Sequence, residues 1–92
     1  QVRELSFDQA ERRIARTLLN LAAQYGRPCP EGVRISIRFT HQDVAGIINT
    51  SRITTNKVMK RMEEEGILLK REGRYILRAL PALERLARGE GQ

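Results

Sequence analysis

Ninety-two residues suit one small domain and are too few for two independent cores, so a multidomain machine is excluded. Seventeen Lys and Arg against eleven Asp and Glu leave a net charge of +6, an excess that points to an anionic partner, nucleic acid before membrane. A chain of this size buries only about 60% of the surface its unfolded form exposes, which leaves little room for a deep substrate pocket.

No run of about eighteen apolar residues occurs, which argues against a spanning helix, and no charged-then-apolar leader opens the chain. The sequence therefore predicts a soluble, cytoplasmic protein with no membrane partner. Cys29 stands alone, which rules out an internal disulfide, and the single His leaves no Cys/His cluster for zinc. The chain opens on Gln1 just before a predicted helix, as a piece of a longer protein would.

Asp8-Gln9-Ala10-Glu11 has the form of a capping box, so the first helix is expected to begin there. Ala10, Ile14, Leu18 and Leu21, joined by Thr17 and Tyr25, recur at spacings of three and four and form one buried stripe, with Arg12, Arg13 and Arg16 on the wetter side. Gly26 supplies a left-handed stop. The prolines and glycine of Arg27-Pro28-Cys29-Pro30-Glu31-Gly32 exclude helix and inner strand and predict a surface loop. Val33 to Phe39 alternates apolar and polar without a break, the pattern of one strand with a buried face.

Thr40 with Asp43 predicts a second cap, opening a short helix over His41–Ile48 with Val44, Ala45, Ile47 and Ile48 inward. Asn49 tolerates positive φ, so Asn49-Thr50 makes a tight turn between helices. Ser51 caps a third helix running from Arg52 to about Glu65, whose Thr55, Val58, Met59 and Met62 face the core. Arg52, Asn56 and Lys60 form one outward row, with Ile53 and Lys57 in the row beside it. Gly66 ends that helix, and Ile67 is placed for the apolar contact of a Schellman cap. Ile67–Lys70 and Tyr75–Arg78 read as strands flanking a basic turn, Arg71-Glu72-Gly73-Arg74. Pro81 opens a last helix that docks through Leu83, Leu86 and Ala87, and 89–92 is expected to fray.

The prediction is thus an α+β fold, mainly α with a small antiparallel sheet, forming one winged helix-turn-helix domain over residues 1–92. In such a pair the second helix enters a major groove and its N-terminal residues meet base edges. Arg52 is the first candidate base reader because a guanidinium spans guanine O6 and N7, and Lys57 follows one turn later. Asn56 shares that surface, and Ile53 is placed to touch a thymine methyl. Thr40, His41, Gln42, Ser51 and Thr54 sit at helix starts, where amides and hydroxyls hold phosphates, with Lys60 further along. Any one of those Ser and Thr residues reads equally well as a plain helix cap. Lys70, Arg71 and Arg74 on the hairpin are candidate phosphate or minor-groove contacts. Glu63-Glu64-Glu65 would repel phosphate, turning the far end of the third helix away from a duplex, or is simply a solvated face.

Thr17-Leu18-Leu19-Asn20-Leu21-Ala22, Thr40-His41-Gln42-Asp43-Val44-Ala45, Thr50-Ser51-Arg52 and Gly66-Ile67-Leu68 together resemble the C-terminal DNA-binding domain of Crp/Fnr-type bacterial transcription regulators. The resemblance covers nearly the whole chain. It implies sequence-specific binding of double-stranded DNA, with base reading at Arg52, Ile53 and Lys57 and phosphate contacts at Thr40, His41, Gln42, Ser51 and Thr54. It further implies no cofactor in this segment, an effector-binding domain and dimerisation helix upstream, and a homodimer on a palindromic operator. Contact with RNA polymerase near 27–32 also follows, and the isolated segment is compatible with a monomer. Three departures stand out: Ile53 where many members carry Glu, Lys57 for the usual Arg, and Asn49 for a common turn glycine.

Other classes fit less well. Catalysis lacks support, since His41 has no evident Cys or Ser partner and no Gly-rich phosphate loop is present. A winged helix used for protein docking would present an apolar third helix, against the polar Arg52, Asn56, Lys57 and Lys60. RNA binding would need a stacking platform, and Phe39 and Tyr75 are better placed in the core.

Overall fold

A computed structural model describes residues 5–90. Its elements run α1 (Phe7–Tyr25), β1 (Gly26–Cys29), β2 (Gly32–Ile35), α2 (His41–Ile48), α3 (Arg52–Glu64), β3 (Leu68–Arg71), β4 (Arg74–Leu77) and α4 (Leu80–Ala87). The strands make one antiparallel sheet in the order β1-β2-β4-β3. This is the expected winged helix-turn-helix, with a fourth strand that the sequence pattern did not announce.

The first helix starts earlier than Asp8. Ser6 Oγ accepts from the Gln9 amide at 3.2 Å while Gln9 Oε1 accepts from the Ser6 amide at 3.0 Å, so the capping box is Ser6/Gln9. Glu11 is thereby carried into the helix interior, where it is buried and desolvation raises its carboxyl pKa against the opposing pull of Arg61. Ala10, Ile14, Ala15 and Leu18 form the buried stripe, whereas Tyr25 is exposed and Thr17 spends its hydroxyl on the Arg13 carbonyl at 2.9 Å. Two arginines of α1 hold neighbouring helices: Arg16 Nε donates to the Ala87 carbonyl at 2.9 Å and Arg13 Nη1 to the Ile48 carbonyl at 3.5 Å. Each places a cation at the C-terminal end of another helix, where the backbone dipole favours it.

Gly26 is extended (φ −76°) rather than left-handed, so α1 passes straight into β1. The expected loop is therefore half strand. Pro28 is tolerated because β1 is an edge strand, which can leave its missing donor on the unpaired side. Conversely, β2 stops at Ile35, short of Phe39. Gly26 pairs with Ile35 and Ser36 N still donates to Tyr25 O at 2.9 Å, but Tyr25 already belongs to α1, so the pairing ends there and the chain bends toward the α2 cap. Ile37 consequently stands exposed while Phe39 returns to the core.

Thr40 and Asp43 cap α2 reciprocally, and Asn49 adopts the left-handed conformation (φ 59°, ψ 53°) at its end. Val44, Ala45 and Ile48 are buried, but Ile47 is 61% exposed. At about 100° per residue, Ile47 falls to one side of the stripe those three define. Thr55, Val58, Met59 and Met62 of α3 are buried as expected. Its end is a full Schellman cap: Ile67 N donates to Met62 O at 2.9 Å and Gly66 N to Glu63 O at 3.1 Å. The wing turn is the two-residue Glu72-Gly73, both at positive φ (54° and 80°), which lengthens β3 to Arg71 and starts β4 at Arg74. Leu83, Leu86 and Ala87 dock α4 on α1. Gly89 and Glu90 are tied back by bonds to Leu86 O and Arg85 O at 2.9 and 2.8 Å instead of fraying, and 91–92 lie outside the described residues, as does Gln1.

Gly46, in the interior of α2, has open space where a Cβ would stand and ordinary helical φ. Gly46→Ala should therefore stabilise the domain by about 0.5–1 kcal/mol through the helix propensity gained. A thermal melt whose midpoint fails to rise contradicts this.

Candidate nucleic-acid interface

The helix-turn-helix is assembled by short-range polar bonds. Thr40 N donates to Asp43 Oδ2 at 2.8 Å and Asp43 N to Thr40 Oγ1 at 3.1 Å. Ser51 Oγ accepts from Thr54 N and donates to Thr54 Oγ1, both at 3.1 Å. The buried Thr55 hydroxyl returns to the Ser51 carbonyl at 3.0 Å. Thr40, Ser51 and Thr54 thus do act as caps, yet Thr40 is exposed and Ser51 and Thr54 are only half-buried. Gln42, Ser51 and Arg52 line one shallow cleft where α2 and α3 meet.

Arg52, Asn56, Lys57 and Lys60 are all exposed on the face of α3 opposite the core, and Ile53 among them is 68% exposed. Among the described residues neither Arg52, Lys57 nor Lys60 has a carboxylate partner. Asn56 is different, because its Oδ1 lies 2.8 Å from His41 Nδ1. With that oxygen accepting from the ring, the amide NH₂ of Asn56 is left to donate outward. His41 Nε2 lies 3.8 Å from Glu63 Oε2, so the hydrogen bond to Asn56 is what ties the start of α2 to α3, with Glu63 facing the other ring nitrogen.

The wing is locked to the same assembly by aromatic contacts. Tyr75 stacks on Phe39 with centroids 5.0 Å apart and on His41 at 6.3 Å. Burial, with Glu63 nearby, pushes the Tyr75 hydroxyl up to about 12, so it stays neutral at physiological pH. The three wing cations are not equivalent. Lys70 Nζ sits 5.2 Å from the Tyr75 ring centroid, Arg71 Nη1 lies 3.2 Å from Glu31 Oε2, and the half-buried Arg74 donates through Nε to the Ser36 carbonyl at 2.8 Å. Arg38, absent from the sequence-derived set, donates through Nη2 to Glu72 O at 3.4 Å and packs against Gly73. Its place before the α2 cap was legible; its reach to the wing turn was not.

The acidic end of α3 is more than a solvated run. Glu65 pairs with Arg61 at 3.1 Å and Glu63 faces His41, while Glu64 is exposed. The described residues contain no cluster of His, Cys, Asp or Glu fit to hold a metal and no helix long and apolar enough to cross a membrane.

Sequence and fold both match a consistent set of known proteins. The Crp-like helix-turn-helix domain matches residues 12–86. The cAMP-activated global transcriptional regulator CRP of Salmonella typhimurium is 36% identical over 69 residues, covering 74% of this chain and 32% of that protein. The global nitrogen regulator of Synechocystis sp. is 30% identical over 56 residues, covering 61% of this chain and 25% of that protein. This chain therefore spans only a quarter to a third of the length of these relatives. Among solved structures, a CRP-family transcriptional regulator from Thermus thermophilus superposes with a TM-score of 0.74 at 29% identity, covering 88% of this chain and 43% of that one. The CO-dependent transcription factor CooA from Carboxydothermus hydrogenoformans reaches 0.81 at 23% identity, covering 88% and 38%, a likeness of fold.

Proposed function

Since the chain belongs to the Crp-like helix-turn-helix family, we propose that it binds double-stranded DNA sequence-specifically as the output domain of a transcription regulator. The observation that carries this reading is the two-sidedness of α3: one face is wholly buried, and the other presents Arg52 and Lys57 exposed and, among the described residues, without carboxylate partners. In a major groove, Arg52 reads guanine, Lys57 an acceptor one turn on, and Ile53 a thymine methyl. Asn56, its oxygen held by His41, offers N–H to an acceptor edge and is fixed in rotamer before binding. Thr40, His41, Gln42, Ser51, Thr54 and Lys60 follow one phosphate track, and Lys70, Arg71 and Arg74 of the wing another.

In the longer protein, a homodimer would set two such helices about 34 Å apart on a palindromic site. An effector would bind an upstream domain, and RNA polymerase is a further partner near 27–32. The test is selection from random duplexes followed by titration at several salt concentrations. A preferred motif with a steep salt slope is expected. Recovery of no motif, with binding equally weak to all duplexes, would return the domain to the class of protein-docking winged helices.

A further inference from the structure

Both ring nitrogens of His41 face an oxygen. Nδ1 lies 2.8 Å from Asn56 Oδ1 and Nε2 lies 3.8 Å from Glu63 Oε2, an arrangement suited to the doubly protonated ring, which donates from both nitrogens. The neutral ring has only one proton to offer these two oxygens. With that proton kept at Nε2, toward the Glu63 carboxylate, Nδ1 becomes an acceptor facing Oδ1, and two acceptors 2.8 Å apart repel. A half-turn of the Asn56 amide removes the conflict: its NH₂ then donates to Nδ1 and its oxygen points outward. Asn56 is exposed on the outward face of α3, so the half-turn exchanges a donor for an acceptor on that face without moving the backbone.

We propose that His41 is a positioning residue that decides which end of the Asn56 amide meets the DNA, so that one operator base is read as an acceptor when the ring is charged and as a donor when it is neutral. This role rests on the DNA-binding reading. An outward NH₂ fits guanine O6 or N7, an outward oxygen fits cytosine N4, and adenine, which offers both kinds of group, is read either way. Imidazole changes charge between about pH 5 and 8. The charged and titratable groups around the ring are Glu63 at Nε2, Lys60 one turn beyond Asn56 in the same row of α3, and Asp43 on α2, which accepts from the Thr40 amide. From β4 comes Tyr75, stacked on the ring and neutral because burial pushes its hydroxyl up to about 12, with Lys70 Nζ 5.2 Å from the Tyr75 ring centroid.

The base that Asn56 faces is the one whose identity Asn56→Ala ceases to discriminate. Operators carrying guanine or cytosine there are titrated between about pH 5.5 and 8.5, a range that spans the imidazole transition. The preference for guanine over cytosine should fall about tenfold as the pH rises, the scale of discrimination that a matched base-edge contact supplies. Taking the ratio cancels any weakening that a neutral ring imposes on all operators alike. His41→Arg, which donates at every pH, should hold the low-pH preference throughout, and His41→Gln should show no pH dependence, with a thermal melt of each to check its folding. In the DNA-free wild-type chain, the NMR signals of the Asn56 side-chain amide should follow the titration of the His41 ring. A guanine-to-cytosine ratio that stays flat in wild type, or that moves equally in His41→Arg, overturns the proposal, as do Asn56 amide signals indifferent to the ring. Selection of no motif at any pH undoes the DNA-binding reading separately, and amide signals that follow the ring still support His41 as the group that turns Asn56.

Discussion

Arg52→Ala is expected to cost roughly 1–3 kcal/mol of affinity for the preferred operator and to flatten discrimination at the base pair it faces. Arg52 opens α3 directly after its Ser51 cap and is exposed, with no carboxylate partner among the described residues. The loss should be position-specific: operators altered at that one base pair lose less than the parent, because the contact they lacked is already gone. Arg71→Ala offers the contrast. Arg71 belongs to the wing and is half neutralised by Glu31, so its removal should weaken all sequences alike and reduce the salt slope by about one unit. Titration of a small panel of single-base operator variants decides the matter. Unchanged relative affinities for Arg52→Ala would remove it from the base-reading set.

Gly32→Ala is expected to destabilise the domain by roughly 2–4 kcal/mol, a large fraction of what a small domain has. Gly32 opens β2 at φ 149°, a conformation L residues rarely adopt, and an added Cβ would collide with the backbone carbonyl of Leu77. Leu77 is paired with the next residue, Val33, so the strands cannot separate locally without breaking the β2–β4 ladder. That ladder joins the β1–β2 hairpin to the wing. Chemical denaturation should show a lowered midpoint, and in the same assay Gly46→Ala should move it upward. The opposite signs separate a glycine required by close backbone approach from one that α2 merely tolerates. A Gly32→Ala protein melting within a degree or two of wild type would mean that β2 is not pressed against β4 as described.

The helix-turn-helix was legible because its boundaries are written in local chemistry. Thr40 with Asp43, the left-handed Asn49, Ser51, and Gly66 with Ile67 each satisfy backbone groups within a few residues, so reading them needs no knowledge of what packs where. The same logic failed at Asp8 only because a second capping box, Ser6 with Gln9, lay two residues upstream. Strand edges obey a different rule. Whether 26–29 is loop or strand, and whether β2 runs on to Phe39, depends on which segment supplies the other half of each ladder bond, and that partner is remote in sequence.

The site divides in the same way. That Arg52, Ile53, Asn56 and Lys57 share the outward side of one helix follows from its periodicity. That His41 holds Asn56, Glu31 restrains Arg71 and Arg38 reaches the wing turn follows from contacts between distant segments. The helices, most of their caps and the polarity of α3 arise from neighbours along the backbone, so the order of residues was enough to set them. The fourth strand and the availability of each cation depend on which charges and carbonyls folding brings within reach, and these emerged only once the chain was packed.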